Sequence, residues 1–273
     1  MNNPLKQYFR RPAVYIKLPS EGKYYTEDVL EMTETGEFPV YPMTAIDEIT
    51  TRTPDALFNG TAVVDLIKSC MPNIKDPWSI TSTDLDAVLL AIKAASGSQN
   101  LEVESKCPKC EEVSQYTIDI AGILSSFKSP DYSTPLEVDD LKIKFEPMTY
   151  KDMNEASLAQ FEIQQIFKKI STITDEKEKK LEITKALTSV TNITMSIITK
   201  TIKYIETPDV TVDNQEHILE FLHNCDKQVY NSIRDYHTSL KEQTEMKPLD
   251  VKCPNCEHEY KQPYVINATD FFG

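Results

Sequence analysis

The sequence is poor in glycine, with 6 glycines among 273 residues, and it contains none of the glycine-rich loops that cradle nucleotide phosphates. Histidine is also scarce, with 4 residues, and neither an HExxH nor a GxSxG pattern is present. Because no catalytic pattern nominates a nucleophile, a general base or an open metal site, the sequence predicts a protein that is not an enzyme.

Long apolar runs are missing as well. No segment reaches the roughly 18 consecutive apolar residues that a membrane-spanning helix needs. The first residues, MNNPLKQYFRRPAVYIKLPS, lack the apolar core and small-residue cleavage site of a signal peptide. We therefore expect the protein to stay in a reducing cytoplasm, where paired cysteines indicate metal ligands rather than disulfides.

Positive charge is in deficit, since 29 Lys and Arg face 43 Asp and Glu, for a net charge of −14. Residues 1–140 carry a net charge of −10 and residues 141–273 carry −4, and neither half has a basic stripe. An acidic surface repels phosphate groups, so the composition argues against nucleic acid as a partner. It is compatible with contacts to other proteins.

What the sequence does contain is 40% hydrophobic residues, enough to bury a substantial core, in patterns typical of a mostly helical α+β protein. Helices are predicted at 45–51, 55–70, 84–95, 150–173, 175–204, 215–225 and 226–243. Short strands are predicted at 13–18, 37–41, 101–104, 115–119, 141–145, 249–252 and 260–265. The β-branched run at 193–205 is a poor helix former, so the fifth helix could break there.

Two motifs recur in the same order along the chain. Pro-Met-Thr occupies 42–44 and 147–149, each time after a strand and before a helix, and Cys-Pro-x-Cys occupies 107–110 and 253–256, each time between strands. We interpret this as two pseudo-repeated halves, each with short antiparallel strands and a cysteine hairpin. The alternative is that both motifs are common local devices that recur by chance.

The repeat defines an expected domain organisation. An N-terminal arm (1–12) precedes the first half (13–127), a proline-containing linker (128–140) and the second half (141–273). Met43 and Cys107 are 64 positions apart, whereas Met148 and Cys253 are 105 apart. The second half therefore carries a helical insertion, which we place at about 150–205.

Four cysteines have the spacing of a structural zinc site: Cys107, Cys110, Cys253 and Cys256. Zinc favours four thiolate or imidazole ligands in a tetrahedron, and each Cys-Pro-x-Cys turn presents two sulfurs. Although 142 residues separate the two turns, related halves could bring equivalent hairpins face to face. The sequence thus predicts one structural zinc per chain, in a zinc-ribbon-like site that joins the halves.

Two other interpretations of these cysteines remain open, namely hairpins without metal and a redox or disulfide pair. Redox Cys-x-x-Cys turns normally begin a helix, whereas these lie between strands. The neighbouring Glu111, Glu112 and Glu257 should raise the thiol pKa and disfavour a reactive thiolate. His258 is a weak candidate for a fifth ligand. The remaining cysteines are interpreted as buried apolar residues: Cys70 and Cys225.

Several runs resemble the baseplate proteins of T-even-type contractile-tailed bacteriophages. They are LPSEGKYY at 18–25, VYPMTAIDE at 40–48, TPDALFNG at 53–60, SCMPNI at 69–74 and CPKC at 107–110. The resemblance covers about 13–120 well, and it extends more loosely to CPNC at 253–256 and DFF at 270–272.

This resemblance implies a structural component or assembly factor of the baseplate hub, acting through contacts with other tail proteins. It would work in the host cell cytoplasm or in the virion tail, with Tyr8-Phe9 and Phe271-Phe272 as docking arms. Phe271 and Phe272 could equally pack on the chain's own core. A transient chaperone that leaves before the virion is complete is the alternative, and a zinc-ribbon adaptor fits the acidic charge less well.

Overall fold

The structure, a computed structural model, describes residues 3–244 and 248–263 and divides into two compact units. Unit 1 comprises Met1–Ser129 and Thr244–Gly273, and unit 2 comprises Pro130–Gln243. Unit 2 is therefore inserted in the sequence of unit 1. The residues expected to form the second half are divided, because 141–243 lie in unit 2 while the second cysteine turn lies in unit 1 with the first.

Unit 1 combines helices with three two-stranded antiparallel sheets. Its elements are β1 (Val14–Ile16), β2 (Phe38–Val40), α1 (Ala45–Thr51), α2 (Pro54–Phe58), α3 (Thr61–Cys70), α4 (Ser82–Ala95), β3 (Asn100–Lys106), β4 (Val113–Asp119), α5 (Ile120–Ser126), β9 (Leu249–Lys252) and β10 (Glu259–Gln262). The strand pairs are β1–β2, β3–β4 and β9–β10. Much of the buried apolar surface belongs to α3 and α4, whose inner residues recur at helical spacing.

One predicted helix, 55–70, is wrong as a single element. The chain forms α2 and α3 instead, separated at Gly60, which adopts φ 80° in the left-handed region. Glycine reaches this conformation without the steric cost that a Cβ imposes. The break redirects the chain, so that α3 buries Val63, Leu66 and Ile67.

The start of α4 is fixed by a buried polar cluster. The Asp84 carboxylate is fully buried and accepts hydrogen bonds from the Ser20 backbone N–H (2.8 Å), the Ser20 hydroxyl and the Tyr25 hydroxyl (2.6 Å). Burial raises the pKa of both Asp84 and Tyr25. Asp84 thus ties the turn at residues 20–25 to the first turn of α4.

Unit 2 is built around a four-stranded antiparallel sheet in the order β5-β6-β7-β8. Its elements are β5 (Leu136–Val138), β6 (Leu141–Phe145), α6 (Tyr150–Ser171), α7 (Glu176–Lys200), β7 (Ile202–Glu206), β8 (Thr211–Val212), α8 (Gln215–Asn224) and α9 (Lys227–Thr244). Phe145, Ile202, Ile218 and Ile233 belong to one buried cluster that joins the sheet to the helices.

The helix predicted at 175–204 ends early, within the β-branched run where a break was the alternative expectation. It stops at Lys200, and the β-branched residues that follow form β7, with Ile202 and Ile205 buried. Pairing with β6 and β8 supplies the partners that favour a strand here. The strand predicted at 260–265 corresponds to β10 as far as Gln262, and residues 264 and 265 lie outside the described residues.

Candidate metal centre

Both Cys-Pro-x-Cys turns lie at the tips of β-hairpins in unit 1. Hairpin 1 is β3–β4, residues 100–119, and holds Cys107 and Cys110. Hairpin 2 is β9–β10, residues 249–262, and holds Cys253 and Cys256. The proline in each turn has no N–H to pair and restricts φ, which suits a tight turn that must present two side chains on one side.

The two turns have the same backbone geometry. In hairpin 1 the Cys107 N–H donates to the Glu112 carbonyl (2.8 Å) and the Glu111 N–H donates to the Cys107 carbonyl (2.9 Å). In hairpin 2 the Cys253 N–H donates to the carbonyl of residue 258 (2.9 Å), and the N–H of residue 257 donates to the Cys253 carbonyl (3.0 Å). Equivalent sulfurs are therefore held by equivalent backbone bonds.

The residue after each turn confirms this equivalence and carries strain. Glu111 has φ 60° and Glu257 has φ 56°, in the left-handed region that non-glycine residues rarely adopt. Each glutamate forms an ion pair with the lysine before its turn, Lys106 at 3.0 Å and Lys252 at 3.6 Å. These exposed pairs are too weak to explain the conformation, so the closure of the turn imposes it.

The four cysteine sulfurs are brought together in the space between the hairpins. All four Sγ atoms lie within 4.8 Å of one another. Cys107 Sγ is 3.7 Å from Cys256 Sγ, and Cys110 Sγ is 3.6 Å from Cys253 Sγ. A tetrahedral zinc site with Zn–S bonds of about 2.3 Å requires sulfur–sulfur distances of about 3.8 Å. The donor set and its spacing therefore fit a tetrahedral thiolate site, which could hold a metal ion.

Polar contacts between the hairpins surround the sulfurs. The buried Ser105 hydroxyl donates to Gln262 Oε1 and lies 2.8 Å from the Tyr260 hydroxyl, and the Tyr116 hydroxyl donates to the Lys252 carbonyl (3.1 Å). Asn255 Nδ2 lies 3.8 Å from Cys110 Sγ. Sequence reasoning missed these contacts, because only the alternation of inward residues in short strands could have indicated them.

The electrostatics of the site differ from the sequence expectation for Cys107. Burial opposes ionisation, but hydrogen bonds from the Cys110 and Lys109 backbone N–H groups lower the pKa of the Cys107 thiol to about 7. For Cys256, a backbone hydrogen bond near His258 lowers the pKa, but desolvation and the neighbouring cysteine sulfurs outweigh it and raise the value to about 12. The expectation that nearby glutamates raise the thiol pKa is wrong for Cys107, because backbone donors dominate.

The other candidate ligands lie outside the cluster. His258 is absent from the four-sulfur group found among the described residues, and its ring stacks on Tyr260 with centroids 6.0 Å apart. Cys70 is fully buried and Cys225 is half-buried. Arg10, which sequence reasoning did not single out, lies 3.7 Å from Cys70 Sγ and also bonds Asp47 and the Ser69 carbonyl.

The protein has a mixed α/β fold, and two equivalent hairpins close around one four-sulfur cluster that forms a candidate structural metal centre. The chain belongs to the family of T4 bacteriophage base plate proteins, whose model matches residues 16–273. Comparisons with curated proteins and with solved structures gave no match. Among the helices of the described residues, none has the length and apolar character needed to cross a membrane. The family expected from the sequence is thus confirmed.

Proposed function

We propose that this base plate protein is a structural component or assembly factor of the baseplate hub, and that it acts through protein–protein contacts rather than catalysis. Other tail proteins are its partners, first in the host cytoplasm and then in the virion tail. The observation that carries this proposal is an uncharged, exposed face on the longest helix of unit 2.

That face lies along the second half of α7, where residues 186–199 include no charged side chain. Three exposed threonines share it with Leu187, and each donates its hydroxyl to the carbonyl four residues earlier: Thr188, Thr191 and Thr194. Since these hydroxyls already have partners, the threonines present mainly their methyl groups. Leu187 is 55% exposed and Val190 is 38% exposed, so the face resembles a surface that a partner covers.

The N-terminal arm offers a second contact surface, in unit 1. Leu5, Tyr8 and Phe9 are all more than half exposed. Arg10, directly after them, bonds the carbonyls of Pro42 and Ser69 and pairs with Asp47 at 3.4 Å. The root of the arm is thereby fixed while its aromatic side chains remain accessible, which suits docking. Phe271 and Phe272, the other expected arm, lie outside the described residues.

The test is incorporation into phage particles. Thr191→Glu and Leu187→Glu each place a carboxylate on the α7 face and should remove the protein from purified baseplates, as measured by quantitative mass spectrometry. Thr238→Glu is the matched control, because Thr238 is exposed on α9 and also donates to a carbonyl four residues earlier, that of Arg234. Normal incorporation of both α7 variants would contradict the proposed surface. Cross-links from α7 to hub proteins would support the hub assignment, and cross-links only to peripheral baseplate proteins would contradict it.

The alternative is an assembly chaperone that binds a hub protein and leaves. Stoichiometric peptides in purified virions favour the structural role, whereas abundance in infected-cell extracts and absence from virions favours the chaperone. A nucleic-acid adaptor is the least favoured role, since the net charge is −14. DNA binding with a steep salt dependence would support the adaptor role instead.

We also propose that Cys107, Cys110, Cys253 and Cys256 hold one structural zinc ion per chain. Four thiolates leave no open coordination position, so the ion would stabilise the fold and not activate water. One zinc per chain, lost in both Cys107→Ser and Cys253→Ser, is the expected metal content. Two zinc ions per chain, or zinc retained in either variant, would contradict a shared site.

Finally, we infer that the chain arose by an internal duplication. Thr44 and Thr149 cap α1 and α6 through capping boxes with Asp47 and Asp152. The residue before each Pro-Met-Thr also makes an equivalent backbone hydrogen bond in the two copies. The Tyr41 N–H donates to the carbonyl of residue 70 (2.8 Å), and the Glu146 N–H donates to that of residue 201 (2.9 Å), each acceptor lying at or next to the end of a later helix. These bonds add to the equivalence of the two cysteine turns. A structure-based superposition that failed to align both motifs in one register would contradict the duplication.

A further inference from the structure

The two hairpins that supply the cysteines are attached to the protein in very different ways. Hairpin 1 has seven residue pairs and continues directly into α5. Asp119 caps α5 by accepting from the Gly122 N–H (2.8 Å), and the Ile120 N–H donates to the carbonyl of Gln99, just before β3. Ile120 and Ile123 are buried. Hairpin 1 is thus continuous with a packed part of unit 1.

Hairpin 2 has four residue pairs and little core of its own. Across the described residues 248–263, the buried side chains are Val251 and Cys253 alone. The contacts already described join it to hairpin 1 through Tyr260, Gln262 and the Lys252 carbonyl. An isolated two-stranded hairpin is marginally stable in water, so hairpin 2 depends on what holds it to hairpin 1.

Metal coordination is the strongest interaction that the site offers to hairpin 2. Hairpin 2 supplies two of the four candidate ligands, Cys253 and Cys256, and hairpin 1 supplies the other two. Binding of a structural zinc by four thiolates contributes far more free energy than one buried valine and a few side-chain hydrogen bonds. Hairpin 1 also has few buried side chains within 100–119, namely Ser105 and Cys107, but its seven residue pairs and its continuity with α5 do not depend on the metal. The balance therefore differs between the hairpins.

We propose that the four-cysteine site is a clasp, which holds hairpin 2 on hairpin 1 and releases hairpin 2 selectively when the metal is removed. This inference rests on the zinc assignment proposed above, and it does not depend on the baseplate role. Metal loss exposes the inward side of hairpin 1 at Ser105 and Tyr116, while hairpin 1 and unit 2 stay folded. The surface of unit 1 therefore depends on metal supply.

The test is amide hydrogen exchange with mass spectrometry on the full chain, before and after zinc removal by a chelator. Peptides from 249–262 should exchange faster by on the order of a hundredfold. Peptides from 100–119 and from 141–240 should change by less than about threefold. Chelation of the wild-type chain avoids any folding defect that a variant could introduce.

Variants then show whether the effect passes through the metal. Cys107→Ser alters hairpin 1 but should release hairpin 2 as fully as Cys253→Ser does. Cys225→Ser is the matched control, because Cys225 lies on unit 2 outside the cluster, and it should leave both zinc content and exchange unchanged. Purified protein without zinc but with a protected hairpin 2 would contradict both the zinc assignment and the clasp.

The remaining outcomes concern the clasp alone. If zinc binds in the expected amount but hairpin 2 stays protected after its removal, the clasp is wrong and the zinc site stands. If α4, hairpin 1 and hairpin 2 all lose protection together, the metal stabilises unit 1 as a whole, and selective release is wrong.

Discussion

Helix α4 carries two aspartates, two residues apart, whose surroundings differ in a way that a mutation can measure. Asp84 is buried and accepts three hydrogen bonds from Ser20 and Tyr25. For Asp86, burial is the cause of a pKa raised to about 7. We predict that Asp84→Ala destabilises unit 1, whereas Asp86→Asn stabilises it at pH 8.

The magnitude for Asp84→Ala follows from the donors that lose their acceptor. Each buried donor left without a partner costs about 1–3 kcal/mol. Two effects reduce the summed cost of these unpaired donors. The Tyr25 hydroxyl can turn to Thr81 Oγ1, which is 2.9 Å away, and alanine removes a carboxylate that is costly to bury. We therefore expect a net loss of about 3 kcal/mol, or roughly 6–12 °C in melting temperature for a unit of this size.

The sign for Asp86 follows from the direction of its pKa shift. Its pKa in the folded protein, about 7, lies above the ordinary value of 3.8. Between pH 3.8 and about 7 the native state holds a proton that the unfolded state has released, so the stability falls as pH rises through this window and is lowest above pH 7. Asp86→Asn cannot ionise, so it should be more stable than the wild type at pH 8, with a difference that shrinks towards pH 5.

The assay is urea unfolding followed by the fluorescence of Trp78, the single tryptophan, which precedes α4 in unit 1. Midpoints measured at pH 8 and pH 5 give the stability of each variant relative to the wild type. A loss below about 1 kcal/mol for Asp84→Ala would refute the assigned role of the hydrogen bonds. Equal behaviour of both variants at both pH values would refute the distinction between the two carboxylates.

Two further predictions concern backbone geometry. Glu111→Gly and Glu257→Gly should each raise the melting temperature of the zinc-loaded protein through relief of about 1 kcal/mol of left-handed strain, whereas Glu112→Gly should not. Thr149→Ala should lower unit 2 stability in urea by about 1 kcal/mol through loss of the α6 capping box, whereas Thr149→Ser should retain it; equal stability of both would contradict the cap.

Local chemistry in the sequence predicted the elements that short-range signals control. The Pro-Met-Thr segments precede capped helices because a threonine followed by an aspartate three residues later satisfies the first turn. The strands around each cysteine turn and the helix ending at Ala95 follow from period-2 and period-3.6 apolar patterns. The four cysteines gather as the spacing and the paired hairpins suggested.

Elements that depend on distant partners were not predictable in the same way. Ile202–Glu206 forms a strand only because β6 and β8 lie on either side of it, and a run of β-branched residues following a helix does not specify where the helix ends. Gly60 divides α2 from α3, although the apolar spacing continues across it. The expected division into two unequal halves brought the hairpins together, but it gave no sign that the last hairpin belongs to the same compact unit as the first.

The insertion of unit 2 between the cysteine turns has a mechanical consequence. All of unit 2 lies within the 142 residues that separate Cys110 from Cys253. With metal bound, a pulling force applied before Cys107 and after Cys256 crosses the metal–sulfur bonds and bypasses unit 2. Unit 2 therefore carries no tension along that path until a metal–sulfur bond breaks. After that, the inserted chain lies in the force path and can be extended.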